Sequence, residues 1–296
     1  MPRAWLALSL FLTALSGCGP KLQQLGGHPT RQPLVEVSLS PSTTEILALD
    51  GDINRLKGRT SACDYPAMVS DVPVYADVVP NYDMLSTNKP DLVVLDDSLY
   101  SPAIVAKIKS IVGDKNVYEF HSTTIADFEN QLRELGAIIG QPINMSKYID
   151  SIESAMQEAK ASMPPSTPKI AVLNGTYIAG TKSFVADAVK AAGGQLVGPD
   201  SDRFVPMNPE ALMQINPDIV IVATQISQRG NEDKANEATL IKAANDFAAD
   251  PKFKSLRAVQ AGQIYPMDAA IVVRQGSRVD SLIRGFSQRI QHWAKR

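Results

Sequence analysis

Between Pro142 and Pro168 the chain places Met145, Ile149, Ile152, Met156, Ala159 and Met163 at steps of three and four residues. That spacing gathers them on one face of a single α-helix of roughly five turns. Pro164 and Pro165 stop it, because proline has no N–H to donate and its ring clashes with the preceding turn. The sequence on either side is different in kind. It alternates short apolar runs with amphipathic stretches, the pattern of βαβ units around a mostly parallel sheet. The fold class that follows is α/β, with two Rossmann-like lobes joined by one long backbone helix and a cleft between them.

In the first half the expected strands are Leu34–Leu39, Val72–Tyr75, Leu92–Leu95 and Val117–Phe120, with helices over Ala103–Ile111 and Ile125–Ile139. A helix also begins near Ser42, where Glu45 three places on gives the reciprocal cap of a helix N-terminus. In the second half the expected strands are Lys169–Leu173, Gln195–Val197, Ile219–Ala223 and Gln263–Met267, with helices over Phe184–Ala192 and Val279–Trp293. The halves echo each other. Met84-Leu85-Ser86-Thr87-Asn88-Lys89-Pro90-Asp91-Leu92-Val93-Val94 parallels Ala211-Leu212-Met213-Gln214-Ile215-Asn216-Pro217-Asp218-Ile219-Val220-Ile221. Each reads as helix, Pro-Asp turn and buried strand. The expected organisation is a leader over 1–17, a tether over 18–33, an N-terminal lobe over 34–141, an interlobe helix over 142–165 and a C-terminal lobe over 166–296.

The leader carries Arg3, an apolar run Ala4–Leu15, and then Leu15-Ser16-Gly17-Cys18. A positive start, a short apolar core and small residues before a cut are the marks of a secretory signal. About a dozen apolar residues are too few to span a bilayer, which takes roughly 20. Leu-Ser-Gly-Cys resembles the bacterial lipobox, in which Cys18 is lipidated and becomes the first residue; the alternative is ordinary cleavage with Cys18 a bystander. Export with a lipid anchor at Cys18 is the expectation, facing periplasm or cell exterior, with no other contact to membrane. Without Arg3, 28 of the 29 basic residues face 31 acidic ones, so the mature chain is mildly acidic. No basic patch points to nucleic acid. Cys63 is the one cysteine left, so no internal disulfide framework is available.

Several motifs together resemble the helical-backbone substrate-binding proteins of ABC importers, the cobalamin and iron–siderophore family. They are Ser38-Leu39-Ser40-Pro41-Ser42-Thr43-Thr44-Glu45, Cys63-Asp64-Tyr65-Pro66, Lys89-Pro90-Asp91-Leu92-Val93, Tyr177-Ile178-Ala179-Gly180 with Ser183-Phe184, and Ala192-Gly193-Gly194. The first two are most similar to the cobalamin branch. The resemblance covers about Leu34 to Ile290. It implies a stiff molecule that closes little on its ligand, and a Gly-Pro-Arg element before the last helix that here is Gly276-Ser277-Arg278. It also implies a small-molecule ligand, cobalamin or a related corrinoid, with an iron–siderophore complex or haem as the alternative. The partner is then an ABC permease dimer with its ATPase, and the protein acts as a monomer without cofactor.

Ligands of open α/β sheets lie at the carboxyl ends of the strands. That rule selects loops carrying Ser42, Thr43, Tyr65, Tyr82, Tyr100, Tyr177, Phe204 and Arg278 as ligand-binding candidates. Aromatic side chains suit a flat macrocycle, since they give large apolar contact with a polar handle; the bland alternative is packing within one lobe. Tryptophan, which the cobalamin branch often uses, is absent from these loops. Asp83 and Glu210 hold matching places in the echo. The resemblance implies that each docks on permease arginines; equally, acids at helix N-termini complement the macrodipole. His121 follows a strand and could ligate a metal centre, but it has no partners at ligand spacing, so no resident metal is expected. Cys63 reads as a small buried hydrophobe. Gly175–Ser183 nearly matches a phosphate loop, yet Thr181 displaces the lysine from register. No nucleophile elbow, His-Glu-x-x-His or cysteine-rich spacing points to an enzyme. A signalling receptor on the same fold is the third class.

Overall fold

In the computed structural model, residues 34–50, 53–227 and 233–296 are described. The leader, Cys18 and the tether lie outside them. The first sheet contains β1 (Glu36–Ser38), β2 (Leu56–Thr60), β3 (Val74–Ala76), β4 (Leu92–Asp96) and β5 (Val117–Phe120), in the order β3-β2-β1-β4-β5 and parallel throughout. Leu92–Leu95 is buried on both faces, the continuous apolar run that a covered parallel strand requires. Helices α1 (Pro41–Leu47), α2 (Tyr82–Asn88), α3 (Pro102–Val112) and α4 (Ile125–Ile139) connect these strands and lead out of them.

Helix α5 (Pro142–Ala161) then runs for 20 residues, about 30 Å at 1.5 Å per residue. Pro142 stands at its first position, where a missing N–H costs nothing. Met163, expected on it, lies beyond its C-cap and is exposed. The second sheet follows, with β6 (Lys169–Asn174), β7 (Tyr177–Ala179), β8 (Gln195–Leu196), β9 (Phe204–Pro206), β10 (Ile219–Thr224) and β11 (Ile264–Asp268). Its order is β11-β10-β6-β7-β9, with β8 also paired to β6. The β7 and β9 pairings are antiparallel. Helices α6 (Phe184–Ala191), α7 (Pro209–Ile215), α8 (Asp233–Ala249), α9 (Arg257–Gln260), α10 (Ala269–Val273) and α11 (Val279–Ala294) complete the chain.

Several elements differ from the sequence pattern, β7, β9, α9 and α10 having no counterpart in it, and three others show why. Strand β2 is absent from it because Lys57 and Arg59 interrupt the apolar run. Arg59 is nevertheless buried, its guanidinium donating to the carbonyls of Val72, Thr60, Cys63 and Ser70. The strand expected at Val72–Tyr75 sits further along, at Val74–Ala76. Helix α8 has few apolar residues to reveal it: Ala244 is buried and Phe247 stacks on Phe253 at 4.6 Å.

The internal echo is geometrical as well as textual. Asn81 caps α2 and Asn208 caps α7, each accepting from the N–H three residues on. Lys89 and Asn216 end those helices in the left-handed region, at φ 42° and 49°. The aspartates of the two Pro-Asp turns then hold the first strand of their own lobe. Asp91 Oδ2 accepts from Val35 N at 2.9 Å, and Asp218 Oδ2 from Lys169 N at 2.8 Å.

One apolar core passes through both lobes. It takes Val94 and Phe128 from the first, Ile149 and Ile152 from α5, and Val172 and Phe286 from the second. Residues Leu34–Arg296 form a single compact unit. Helix α11 is tied along α5 by polar pairs, Ser151 with Asp280 at 2.8 Å, Glu158 with Arg284 at 2.9 Å and Ser162 with Gln291 at 2.8 Å. No helix among the described residues is long and apolar enough to cross a membrane.

Candidate functional site

The carboxyl ends of the two sheets enclose a cavity of about 420 Å³. Its size is that of a small-molecule site. The first lobe supplies Ser42, the β4 loop with Asp96, Asp97, Ser98 and Tyr100, and the β5 end with Phe120 and His121. The second supplies Phe184 and Val185 of α6, then Asp202, Arg203 and Phe204, and Val272 and Gln275 near α10. Apolar side chains make the floor. Phe120 and Phe184 are each 5% exposed, and Phe128 behind them joins the lobes, with ring centroids 6.2 Å from Phe120 and 5.7 Å from Phe184. Ser122 Oγ donates to Gln275 Oε1 across the same floor.

The rim is charged. His121 Nδ1 lies 2.9 Å from Asp97 Oδ1, and its backbone N–H donates to Gln131 Oε1 at 3.2 Å. The hydrogen bond and charge of Asp97 hold the imidazole above its usual titration range, and Asp202 across the cleft adds to the effect. When the ring is neutral, Nδ1–H faces Asp97, which leaves the Nε2 lone pair for a ligand. A carboxylate behind a histidine is the arrangement that orients and strengthens metal-ligating imidazoles. Arg203 Nε pairs with Asp202 at 3.0 Å. The Tyr100 hydroxyl donates to Leu39 O at 2.6 Å, and burial pushes its pKa up to about 12, so it stays protonated.

Of the sequence candidates, Ser42, Tyr100 and Phe204 line the cavity. Thr43 is fully buried, its hydroxyl 2.7 Å from those of Ser38 and Ser40. Tyr82 packs against the Leu39–Leu95 core. Tyr177 lies on β7, paired with Pro206, and is 48% exposed. The antiparallel hairpin that carries it replaces the expected open loop, and it also removes the phosphate-loop geometry from Gly175–Ser183. Tyr65 and Arg278 face each other, with the guanidinium carbon 4.2 Å from the ring centroid. Sequence reasoning passed over Phe120, Phe184 and Asp202, and it selected the loops Asp96–Tyr100 and Asp268–Arg278 without naming Asp96 or Gln275 as contacts. Their signal was position at strand ends and helix starts, which residue type alone did not separate from core.

Arg278 belongs to a latch between the lobes. Glu45, 1% exposed, accepts from Arg278 Nη2 at 2.7 Å, Arg274 Nη1 at 3.3 Å and Ser277 N at 3.2 Å. Arg274 Nη1 also reaches Asp64 Oδ1 at 2.6 Å. Gly276 passes so close that a Cβ there would stand 2.5 Å from Glu45 Oε2. The helix cap expected from Glu45 is made instead by Ser40, whose Oγ accepts from Thr43 N at 3.1 Å. Cys63 is buried, with Sγ 3.0 Å from Thr44 Oγ1. Asp83 and Glu210 are exposed in the first turns of α2 and α7.

A family model described as Periplasmic binding protein matches residues 37–271. The chain is 22% identical to the uncharacterized ABC transporter substrate-binding lipoprotein YvrC of Bacillus subtilis, over 96% of this chain and 94% of that protein. It is 29% identical to the high-affinity heme uptake system protein IsdE of Staphylococcus aureus, covering 63% of this chain and 66%, just under two thirds, of that one. The structure of the periplasmic vitamin B12 binding protein BtuF of Vibrio cholerae superposes with a TM-score of 0.70, at 16% identity, over 89% of this chain and 99% of that chain.

Proposed function

This chain belongs to the periplasmic binding protein family, and we propose that it is the substrate-binding component of an ABC importer, capturing a bulky metal complex and delivering it to a membrane permease. The observation that carries this reading is the cleft itself: an apolar floor of Phe120, Phe184 and Phe204 beneath a polar rim, built from both lobes. The preferred cargo is cobalamin or a related corrinoid. Tyr100 and Phe204, one per lobe, offer flat contact surfaces to a macrocycle. A haem or iron–siderophore cargo is the second reading, and the Asp97-oriented imidazole of His121 favours it, because that ring is placed to complete a metal's coordination. The named relatives support both, one being a heme uptake protein and one a vitamin B12 binding protein. Cys18 anchors the protein by lipid outside the cytoplasmic membrane, and Asp83 and Glu210 dock one lobe each on the permease. The protein is no enzyme and takes no nucleic acid.

The test is to purify the protein from its own host, release the bound molecule by denaturation and record its visible spectrum. A stoichiometric corrinoid, one per chain, is expected. Titration with the same compound should return a Kd between nanomolar and low micromolar, about −12 to −8 kcal/mol. A haem spectrum would move the cargo to the second reading. Catalytic turnover of the released compound would overturn the receptor assignment.

A further inference from the structure

The rim of the cleft holds three carboxylates, Asp96, Asp97 and Asp202, against Arg203 and His121. Two of the three already have counter-charges. Asp97 pairs with His121, and Asp202 with Arg203. Asp96 makes no ion pair among the described residues, and the only charge that offsets its burial is that of the more distant His121. Its Oδ1 accepts from Ser98 N at 3.0 Å and Ser98 Oγ at 2.5 Å, and both bonds fall on that one oxygen. It is half-buried at the end of β4, beside the Tyr100 ring that also lines the cavity. Burial pushes its carboxyl above the usual range, the mark of a charge short of solvation. A ligand that supplies donors or positive charge there restores what burial removes. An anionic ligand adds repulsion in a cavity of reduced dielectric.

Resting on the receptor reading above, we propose that Asp96 is a specificity-determining residue of this cleft: it takes an amide-donor or cationic group of the cargo and discriminates against anionic metal chelates. The chemistry selected is a neutral, amide-rimmed macrocycle or a cationic chelate. A tetrapyrrole with free carboxylates, or a tris-catecholate iron complex, is selected against. Discrimination arises in this way when a site leaves a like charge unpaired against the wrong ligand.

The experiment is titration calorimetry on the purified exported chain with four probes: cyanocobalamin, ferrioxamine B, haemin and ferric enterobactin. The expected ranking sets the neutral and cationic probe that binds best at least tenfold above both anions. Asp96→Asn should narrow that gap by about tenfold, mainly by improving the anions. Wild-type protein gives a second readout without any variant: rising salt should strengthen binding of an anionic probe, because screening weakens the repulsion. Preference for an anion, or an Asp96→Asn ranking identical to wild type in a folded variant, overturns the inference while leaving the receptor reading intact. Failure of all four probes to bind overturns this inference and the corrinoid cargo together, and leaves the family assignment intact.

Discussion

Glu45 shows how a single side chain changes its role with context. Three places after Ser42 it has the spacing of a helix-capping glutamate. In the fold it is a buried acceptor for Arg278, Arg274 and the Ser277 N–H. Removing one partner from a buried pair strands the others without water or counter-charge, at about 3–5 kcal/mol. Glu45→Ala should therefore lower unfolding stability by that order, and Glu45→Gln by less, read from urea midpoints at constant slope. A loss below about 0.5 kcal/mol, the scale of an ordinary surface substitution, would show that the latch contributes little. His121 makes a second residue-scale prediction. Its folded pKa is raised by Asp97, so the pair's stabilisation is fully present below the ordinary histidine value of about 6.5 and is lost as pH rises through the higher folded value. Proton NMR titration should give a His121 midpoint above that value, moving back toward it in Asp97→Asn. An unshifted wild-type midpoint would mean the pair does not form in solution.

The element that ties the lobes is the short Gly276–Arg278 segment between α10 and α11. It is tied to the start of α11 by Tyr148 of α5, whose Oη donates to Gly276 O and accepts from Val279 N, both at 2.8 Å. Its side chains are read by α1 through Glu45. Glycine is required at 276 because any side chain would push on Glu45 Oε2. Overpacking of this kind costs about 1–3 kcal/mol. Gly276→Ala should reduce stability by that amount in denaturant titration, and an equal midpoint would mean the neighbouring carboxylate yields freely. The same segment explains why the arginine expected in the cleft is not among its lining residues. Its guanidinium is spent on Glu45 and on the face of Tyr65.

At the scale of the molecule, the two lobes repeat one device, an asparagine-capped helix with an exposed acid in its first turn, followed by a Pro-Asp turn into a buried strand. The repetition gives Asp83 and Glu210 equivalent settings in lobes held by one core and one latch. Such a pair suits a two-fold partner, with a carboxylate for an arginine on each side. Reversing both to lysine should abolish uptake in cells while ligand affinity stays within about threefold, since neither residue lines the cavity. Normal uptake by the double variant would reduce them to helix-terminal acids that complement the macrodipole.

Periodicity and punctuation determined much of this protein from sequence alone. The extents of α4 and β5, the long helix ended before Pro164-Pro165 and the echo of Pro-Asp turns are all local in origin. Side-chain spacing reports which face is buried, and proline reports where a helix must stop. Strand β2 and helix α8 escaped because their burial rests on polar or small residues. The cleft lining was only half legible for a related reason. Phe120 and Phe184 resemble core residues until two lobes bring them to one floor. Tyr65 and Arg278 meet each other outside the cavity lining, and Tyr177 stands exposed on β7. Only tertiary structure decides which partner a long polar or aromatic side chain meets, because such partners can stand far apart in the chain, as Glu45 and Arg278 do with a separation of 233.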